Sequence, residues 1–355
     1  MTDTAPNQTL TNAAGTLQPA APIEVGQHTM GVDSLLRYLR IKVHHLVQEH
    51  DWERIHVIGG YNRARVISRF EKPGKLFNWQ RPTAEACGRE LLIRCFPGTD
   101  YVHHYGLIIA TYLHMVGRHA GRVTYRIPTP ESCQEAVDQV ALDLDGDLVI
   151  VGWGLEHLAP TEGPWNYGLG YAWKRARVRG RSVLYLGFLH SIWGDVAGRV
   201  VARLATLGAG DVVYVGKVGA LDPAVVPNTR LATGNVSLIG GVPVAWSDFF
   251  GSTALNQHDV LTGVHVTSSS VLLENRDWLS RNSRHAFVDP EIGPMGAAAQ
   301  TAGISFGYLH VVSNNLARHY PEDLSNERHR QVIRQRAELV ERVRAIIATR
   351  LAAER

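Results

Sequence analysis

The stretch FVDPEIGPMGAAAQTAGISFGYLHVVSNN, residues 287–315, decides the fold class. A short β-prone run ends in Asp289-Pro290-Glu291, and small residues then continue without a break to Gly303. ISFGYLHVVS (304–313) follows as an apolar, β-branched run, closed by Ser313-Asn314-Asn315. Proline, glycine and asparagine at these junctions start and stop regular elements, so the stretch reads as strand end, helix, strand. One carboxylate stands at the opening of the helix, and a hydroxyl with two amides stands where the strand runs out.

Working outward, the same alternation recurs. DLVIVGWG (147–154) reads as a strand with a glycine exit, and residues 167–188 as a pair of hairpin strands around the basic run KRARVRGR (174–181). Residues 191–208 read as a helix, DVVYVGKVGAL (211–221) as a strand opening into a glycine turn, and GVHVTSSSVLL (263–273) as a further strand. A long amphipathic helix over 325–351 closes the chain, with Val332, Leu339, Val343 and Ile346 on one face. Strands alternating with helices predict an α/β three-layer sandwich with a mixed, mostly parallel sheet. In such sheets ligands gather beyond the carboxyl ends of the strands, where these glycine and Ser-Asn turns fall.

The 355 residues are 45% hydrophobic and 19% charged, which is enough for a large core. We divide them into a disordered tail over 1–30, an N-terminal α/β extension over 31–145 and the sandwich over 146–355. The formal net charge is +3. The basic run at 174–181 has no interleaved aromatics and reads as a solvated hairpin, so nucleic acid is not an expected partner. Three cysteines without metal or disulfide spacing suit a reducing cytoplasm. No apolar run has the length of a membrane span. His44-His45 and His103-His104 lack a carboxylate or cysteine at ligand spacing and read as surface or core histidines, not metal ligands.

Three segments, in order, resemble the nucleoside phosphorylase and nucleosidase superfamily, which includes purine nucleoside phosphorylase and methylthioadenosine/S-adenosylhomocysteine nucleosidase. SVLYLGFLHSIWGD…VVYVGKVGALDP is similar to its strand, glycine turn and helix followed by V-G-x-x-G-[AG]-L-x-P. VTSSSVLLEN stands where that family has a serine-containing strand end lining the base pocket, which makes Ser269 and Val271 candidates. VDPEIGPMGAAA…GISFGYLHVVSNN resembles its V-x-M-E-x-x-A…S-D segment. The resemblance covers roughly residues 167–351. It implies a nucleoside-phosphorylase-like fold, a homo-oligomer, a small-molecule nucleoside or 5′-nucleotide as substrate, and no metal or organic cofactor, with phosphate as the alternative co-substrate.

The resemblance also assigns roles, and the chemistry accounts for the residue types. Breaking a glycosidic C–N bond builds positive charge on the sugar and negative charge on the departing base. A carboxylate therefore holds the ribose hydroxyls, and a donor faces the base. Glu291 takes the first role, with Asp289 beside it, and Ser313 with Asn314 forms the base-facing end. Asn314 stands where many members carry aspartate; an amide donates a hydrogen bond but gives up no proton. Tyr214 stands where the phosphorylases carry an arginine for phosphate, and Lys217, between Gly216 and Gly219, is the remaining cationic candidate for phosphate or a 5′-phosphate.

Two placements of the family's first strand are open. In one, IGGYNRARVISRF (58–70) is the phosphate loop, with Gly59 and Arg63 on phosphate. In the other, DLVIVGWGLEH (147–157) is the first strand, Glu156 matches the water-activating glutamate of the nucleosidases, and 31–145 is an added domain as in AMP nucleosidase. SLLRYLRIKVHHLVQEH (34–50) reads as an amphipathic helix ahead of Ile55, which favours the second. Cleavage of the N-glycosidic bond by water is the expected activity. Phosphorolysis is the alternative, and a non-catalytic nucleoside-binding protein is the alternative of another class.

Overall fold

The computed structural model describes residues 15–60, 76–251, 255, 258–320 and 328–353. Arg63 lies outside the described residues, as do residues 1–14 of the expected tail. From residue 16 on, that tail carries structure: β1 (Gln18–Pro19) pairs with β5 (Val123–Arg126), and Ala20 N–H bonds to the Val123 carbonyl at 2.9 Å.

Two sheets organise the chain. The first has the order β1-β5-β2-β4-β3, with β2 (Arg54–Gly59), β3 (Thr83–Cys87) and β4 (Glu90–Cys95). Helices α1 (Val32–Lys42) and α3 (Thr99–Met115) cover it, and the short α2 (His45–Glu49) lies between them in sequence. The apolar run within 105–117 forms part of a buried helix, and Ile108, Ile109 and Leu113 pack on Ile55, Val57, Leu91 and Ile93. Helix α4 (Pro130–Asp138), capped by the Thr129 hydroxyl, leads to the second sheet.

That sheet runs β13-β12-β15-β16-β10-β6-β9-β8-β7, with β17 along β10 and β11 beyond β17, where β14 also joins. Its strands are β6 (Leu148–Gly152), β7 (Asn166–Tyr167), β8 (Tyr171–Val178), β9 (Arg181–Phe188), β10 (Asp211–Ala220) and β11 (Leu231–Thr233). The remainder are β12 (Val236–Ile239), β13 (Val242–Ala245), β14 (Leu261–Thr262), β15 (His265–Thr267), β16 (Phe287–Asp289) and β17 (Ser305–Asn315). The long central pairs β6–β9, β6–β10 and β10–β17 are parallel, while β8–β9 and β10–β16 are antiparallel, which makes the sheet mixed.

Each face carries its own helices, as a three-layer sandwich requires. On one face α6 (Asp195–Thr206) and α8 (Ile292–Ala302) bury Val196, Val200, Leu204, Ile292 and Met295 against Val212, Tyr214 and Phe306. They cross so closely that a Cβ on Gly198 would lie 2.7 Å from the Pro294 carbonyl oxygen. On the other face the one-turn α5 (Leu155–Leu158) and the closing helix α9 (Arg330–Ala352) bury Leu155, Leu339, Val343 and Ile346 against Val213, Val215 and Leu309. A short helix α7 (Arg276–Asn282) follows β15 in sequence.

The hairpin around residues 174–181 forms as expected, but its basic residues are not simply solvated. Lys174 is buried and donates to the Pro160 carbonyl, Arg175 meets buried Asp147 at 3.3 Å, and Arg181 pairs with Asp211.

One irregularity positions the site. Residues 211–215 of β10 pair with β6, whereas Gly219 and Ala220 pair with β16. β6 leaves at Gly152, where φ is +116° and a Cβ would lie 2.0 Å from the Val215 carbonyl oxygen, so no side chain fits. The sheet therefore changes neighbour midway along β10, and that gap is where an α/β sheet holds ligands.

Candidate functional site

Gly219 pairs with Val288 of β16 on one side and with Asn314 of β17 on the other. The two polar ends of the 287–315 unit thus meet around one point of β10. A Cβ on Gly219 would reach Leu316, Val288 and the Asn314 amide at 2.7, 3.1 and 3.4 Å, so glycine lets the three strands close here. Gly216 serves a similar end: its Cβ would stand 2.6 Å from the His310 imidazole.

Glu291 precedes α8. Asp289 caps that helix, its Oδ1 accepting from the N–H groups of Glu291 at 3.0 Å and Ile292 at 2.9 Å. The Glu291 carboxyl lies close enough to the Gly194 N–H and the Tyr214 hydroxyl for both to favour its ionised form. Gly194 has φ +57°, ψ −124°, and a Cβ there would lie 2.4 Å from Asp100, so only glycine presents this amide. Burial, then the neighbouring Asp289 charge, push the Glu291 carboxyl well above the usual range, and the Gly194 N–H, the Tyr214 hydroxyl and its own backbone N–H offset part of this.

Beneath Glu291 lies a sealed polar cluster. Ser237 Oγ is 2.8 Å from His265 Nδ1, and His265 Nε2 is 3.0 Å from Asp289 Oδ1 and 2.8 Å from the Asp289 amide nitrogen. Serine, histidine and aspartate in a row look like a nucleophilic triad, but Ser237 and His265 are 0% exposed and Asp289 5%, so nothing reaches the hydroxyl. Burial alone would raise Asp289. His265 and His310, together with the helix amides, outweigh it and hold the carboxyl below the usual range. Asp289, expected to bind substrate, instead supports the Glu291 turn.

The Ser313–Asn315 end, expected to face the base, is partly used by the protein. Ser313 Oγ donates to Asn314 Oδ1 at 3.1 Å, and Asn315 Nδ2 donates to the Asp222 and Val225 carbonyls at 2.8 Å each. Asn314 Nδ2 remains turned toward Gly219.

Other expected site residues lie elsewhere. Lys217 alternates with Tyr214 and Gly216 along β10 and sits on the α9 face, its ammonium 5.7 Å from the centre of the Trp153 ring. Glu156 is exposed on α5, because Leu155 and Leu158 of that single turn must face the core. Gly59 ends β2 in the other sheet, where its Cβ would meet Pro128 at 2.7 Å. The strand beside β10 is β6, not β2. Ser269 gives its carbonyl to Trp193 Nε1 at 2.8 Å, and the Val271 carbonyl accepts from His28 at 2.9 Å while its side chain packs on the first sheet's core.

Several residues at the site were not singled out from sequence: Gly194, Tyr38, His104, Trp193 and Glu274. Glu274 is 4% exposed, and burial, with the Asp289 charge adding to it, lifts its carboxyl to about 8. A cavity of about 800 Å³ adjoins this region, lined by Asp100, Asp195, Arg199, Ser268, Ser269 and Trp278 among others. Asp100 and Asp195 cap each other's helices there at 3.0 and 3.1 Å, and burial followed by the Asp195 charge raises Asp100 to about 6. Among the described residues no group of three or more His, Cys, Asp or Glu is arranged to hold a metal ion, and no helix is long and apolar enough to cross a membrane.

No family model matches the chain. Solved structures similar to it include nucleoside phosphorylases and nucleosidases. One is the purine nucleoside phosphorylase of Toxoplasma gondii in complex with immucillin-H, 15% identical, covering 59% of this chain and 93% of that chain at a TM-score of 0.46. Another is the methylthioadenosine/S-adenosylhomocysteine nucleosidase of Colwellia psychrerythraea in complex with adenine, 13% identical, covering 60% and 97% at a TM-score of 0.44. Among curated proteins, oxidoreductase cns1 of Cordyceps militaris is 24% identical over 270 residues, 66% of this chain and 34% of the relative. The chain thus spans about a third of the length of that relative.

Proposed function

We propose that the protein cleaves the N-glycosidic bond of an uncharged nucleoside, with water as the attacking group. The observation that carries this reading is the buried Glu291 carboxyl at the gap in the sheet, on which the Gly194 N–H and the Tyr214 hydroxyl act. Ribose hydroxyls that replace the tyrosine hydroxyl and donate to this carboxyl favour its ionised form, which stabilises positive charge growing on the sugar. Asn314, across Gly219 from the strand leading to Glu291, supplies a donor to the departing base.

Two placements favour water and an uncharged sugar. Tyr214 holds the position of the phosphorylases' phosphate arginine, and its hydroxyl is engaged by Glu291. Lys217, the cationic candidate for a phosphate or 5′-phosphate, lies on the opposite face of β10. The groups acting on Glu291 include the acid Asp289, which disfavours a phosphate dianion beside it.

The test is chromatographic detection of free base from a panel of nucleosides and 5′-nucleotides, each with and without phosphate. Release from nucleosides independent of phosphate is expected, and Glu291→Gln should lower turnover by about 10²-fold or more. Release only in the presence of phosphate would replace hydrolysis by phosphorolysis. No release, with nucleoside-induced thermal stabilisation, would make this a binding protein.

A further inference from the structure

The N-terminal sheet and its helices do not stand apart from the Glu291 site. Helix α3 sends His104 into the second sheet's loops, where its ring stacks on Trp193 with centroids 4.3 Å apart and planes 11° from parallel. Phe96, just past the end of β4, stacks in the same way on His190 at 3.6 Å. Both contacts press on the loop whose Gly194 amide holds Glu291. Trp193 is tied on its other side to the Ser269 carbonyl.

Above this stack lies Tyr38 of α1. Its hydroxyl is 3.3 Å from His104 Nε2, and His104 Nδ1 is 2.7 Å from Ser270 Oγ. The proton directions in this chain follow from Ser270. That residue is 0% exposed, and its oxygen already accepts from the Leu272 N–H at 3.2 Å. Its own proton needs an acceptor, because an unsatisfied buried donor costs about 1–3 kcal/mol. His104 Nδ1 is the acceptor at hand, so Ser270 donates to Nδ1. The neutral ring then carries its proton on Nε2 and donates to the Tyr38 oxygen. Burial holds His104 down to about 3, which keeps the ring neutral in this arrangement.

Tyr38 therefore receives a hydrogen bond on its oxygen and keeps its own O–H for another partner. Among the described residues His104 is its hydrogen-bond partner, while the carboxyls of Glu274 and Glu291 both act on the phenol. Lys42, one turn along α1, lies over the Tyr38 ring at 5.7 Å, and its ammonium, which has donors only, cannot take the hydroxyl proton.

Resting on the reading of Glu291 as the ribose-holding carboxylate, we propose that the N-terminal unit forms one wall of the nucleoside site and that Tyr38 donates a hydrogen bond to a sugar hydroxyl oxygen. His104 is the positioning residue that turns the Tyr38 proton inward. The unit that reads as an extension in sequence is thus a determinant of which sugar the site accepts.

The experiment measures base release by the full chain and by its Tyr38→Phe, His104→Phe and Glu291→Gln variants. Substrates are one ribonucleoside and its 2′-, 3′- and 5′-deoxy analogues, and thermal unfolding of each variant reports its fold. Tyr38→Phe is expected to raise KM for the ribonucleoside about tenfold with kcat little changed, as loss of one hydrogen bond implies. This deficit should disappear for one deoxy analogue, the one lacking the contacted oxygen. His104→Phe keeps the stack on Trp193 and should reproduce the same pattern.

A Tyr38→Phe variant that handles all four substrates like the parent, or loses equally on all four, overturns the proposal. In either case loss of turnover in Glu291→Gln would leave the hydrolase reading intact. Failure of the parent protein to release base from any substrate removes that reading and this inference with it.

Discussion

Asp289→Ala tests how the site is built. The aspartate caps α8 through two backbone N–H groups and faces His265 and His310, each 0% exposed. Loss of a cap costs about 1 kcal/mol. Removing the acceptor of a buried polar group leaves that group unsatisfied, at about 1–3 kcal/mol. The cap lies within the same interactions, so we expect a total of about 2–3 kcal/mol rather than the sum. Urea unfolding at pH 7 followed by fluorescence would measure it, with Asp289→Asn as the control that keeps an acceptor for the helix amides. Asparagine should cost clearly less than alanine. A loss below about 1 kcal/mol in Asp289→Ala would refute the reasoning, since the two histidines would then have to be satisfied without it. The control has a second use. Asp289 is one cause of the raised Glu291 carboxyl, so Asp289→Asn should move the Glu291 titration back toward the usual range, as seen by carboxyl ¹³C NMR.

Gly216→Ala should destabilise by about 1–3 kcal/mol, because its Cβ meets the His310 ring at 2.6 Å in a packed interior; denaturant midpoints at constant m report it. Glu274 binds its proton up to about pH 8 when folded but only up to the ordinary 4.5 of a glutamate when unfolded. Its favourable contribution is therefore complete below pH 4.5 and is lost as pH rises through about 8. Glu274→Gln should flatten the fall in unfolding free energy over that window by up to about 1.4 kcal/mol per pH unit, and identical slopes in the two proteins would contradict this. If Gly194 presents its amide to Glu291 as described, Gly194→Ala should lower turnover more than about tenfold even in a folded protein, because a side chain at φ +57° displaces the loop.

Much of the sandwich was legible because local rules act on local sequence. The alternation of apolar strands with amphipathic helices located β6, β10, β17, α6, α8 and the closing helix to within a few residues. Asp-Pro-Glu ahead of small residues marked the start of α8, since a side-chain cap requires only neighbours in sequence. Residues 75–130 are hard to read from sequence, because strands of a second sheet pair across long separations and leave no periodic signal in so short a run. The serine-rich run after His265 was expected to continue as strand. It turns instead into a 3₁₀ helix at Val271–Leu273, because Val271 and Leu272 find their apolar partners in the other unit's core.

The chain by itself determined which chemical groups are available and where elements begin: a carboxylate at 291, an amide at 314, and glycines at 194, 216 and 219. Tertiary structure decided which of them meet. Alternation along β10 sends Tyr214 to the face of α8 and Lys217 to the opposite face, so two residues close in sequence end up separated by the sheet. The early exit of β6 at Gly152 opens the gap that Glu291 spans, and no local pattern around Glu291 contains that information. Tyr38 and His104, far away in sequence, reach the same place only because the first sheet packs on the loops of the second. Side-chain identity is local, whereas proximity depends on how strands pair and which faces they bury.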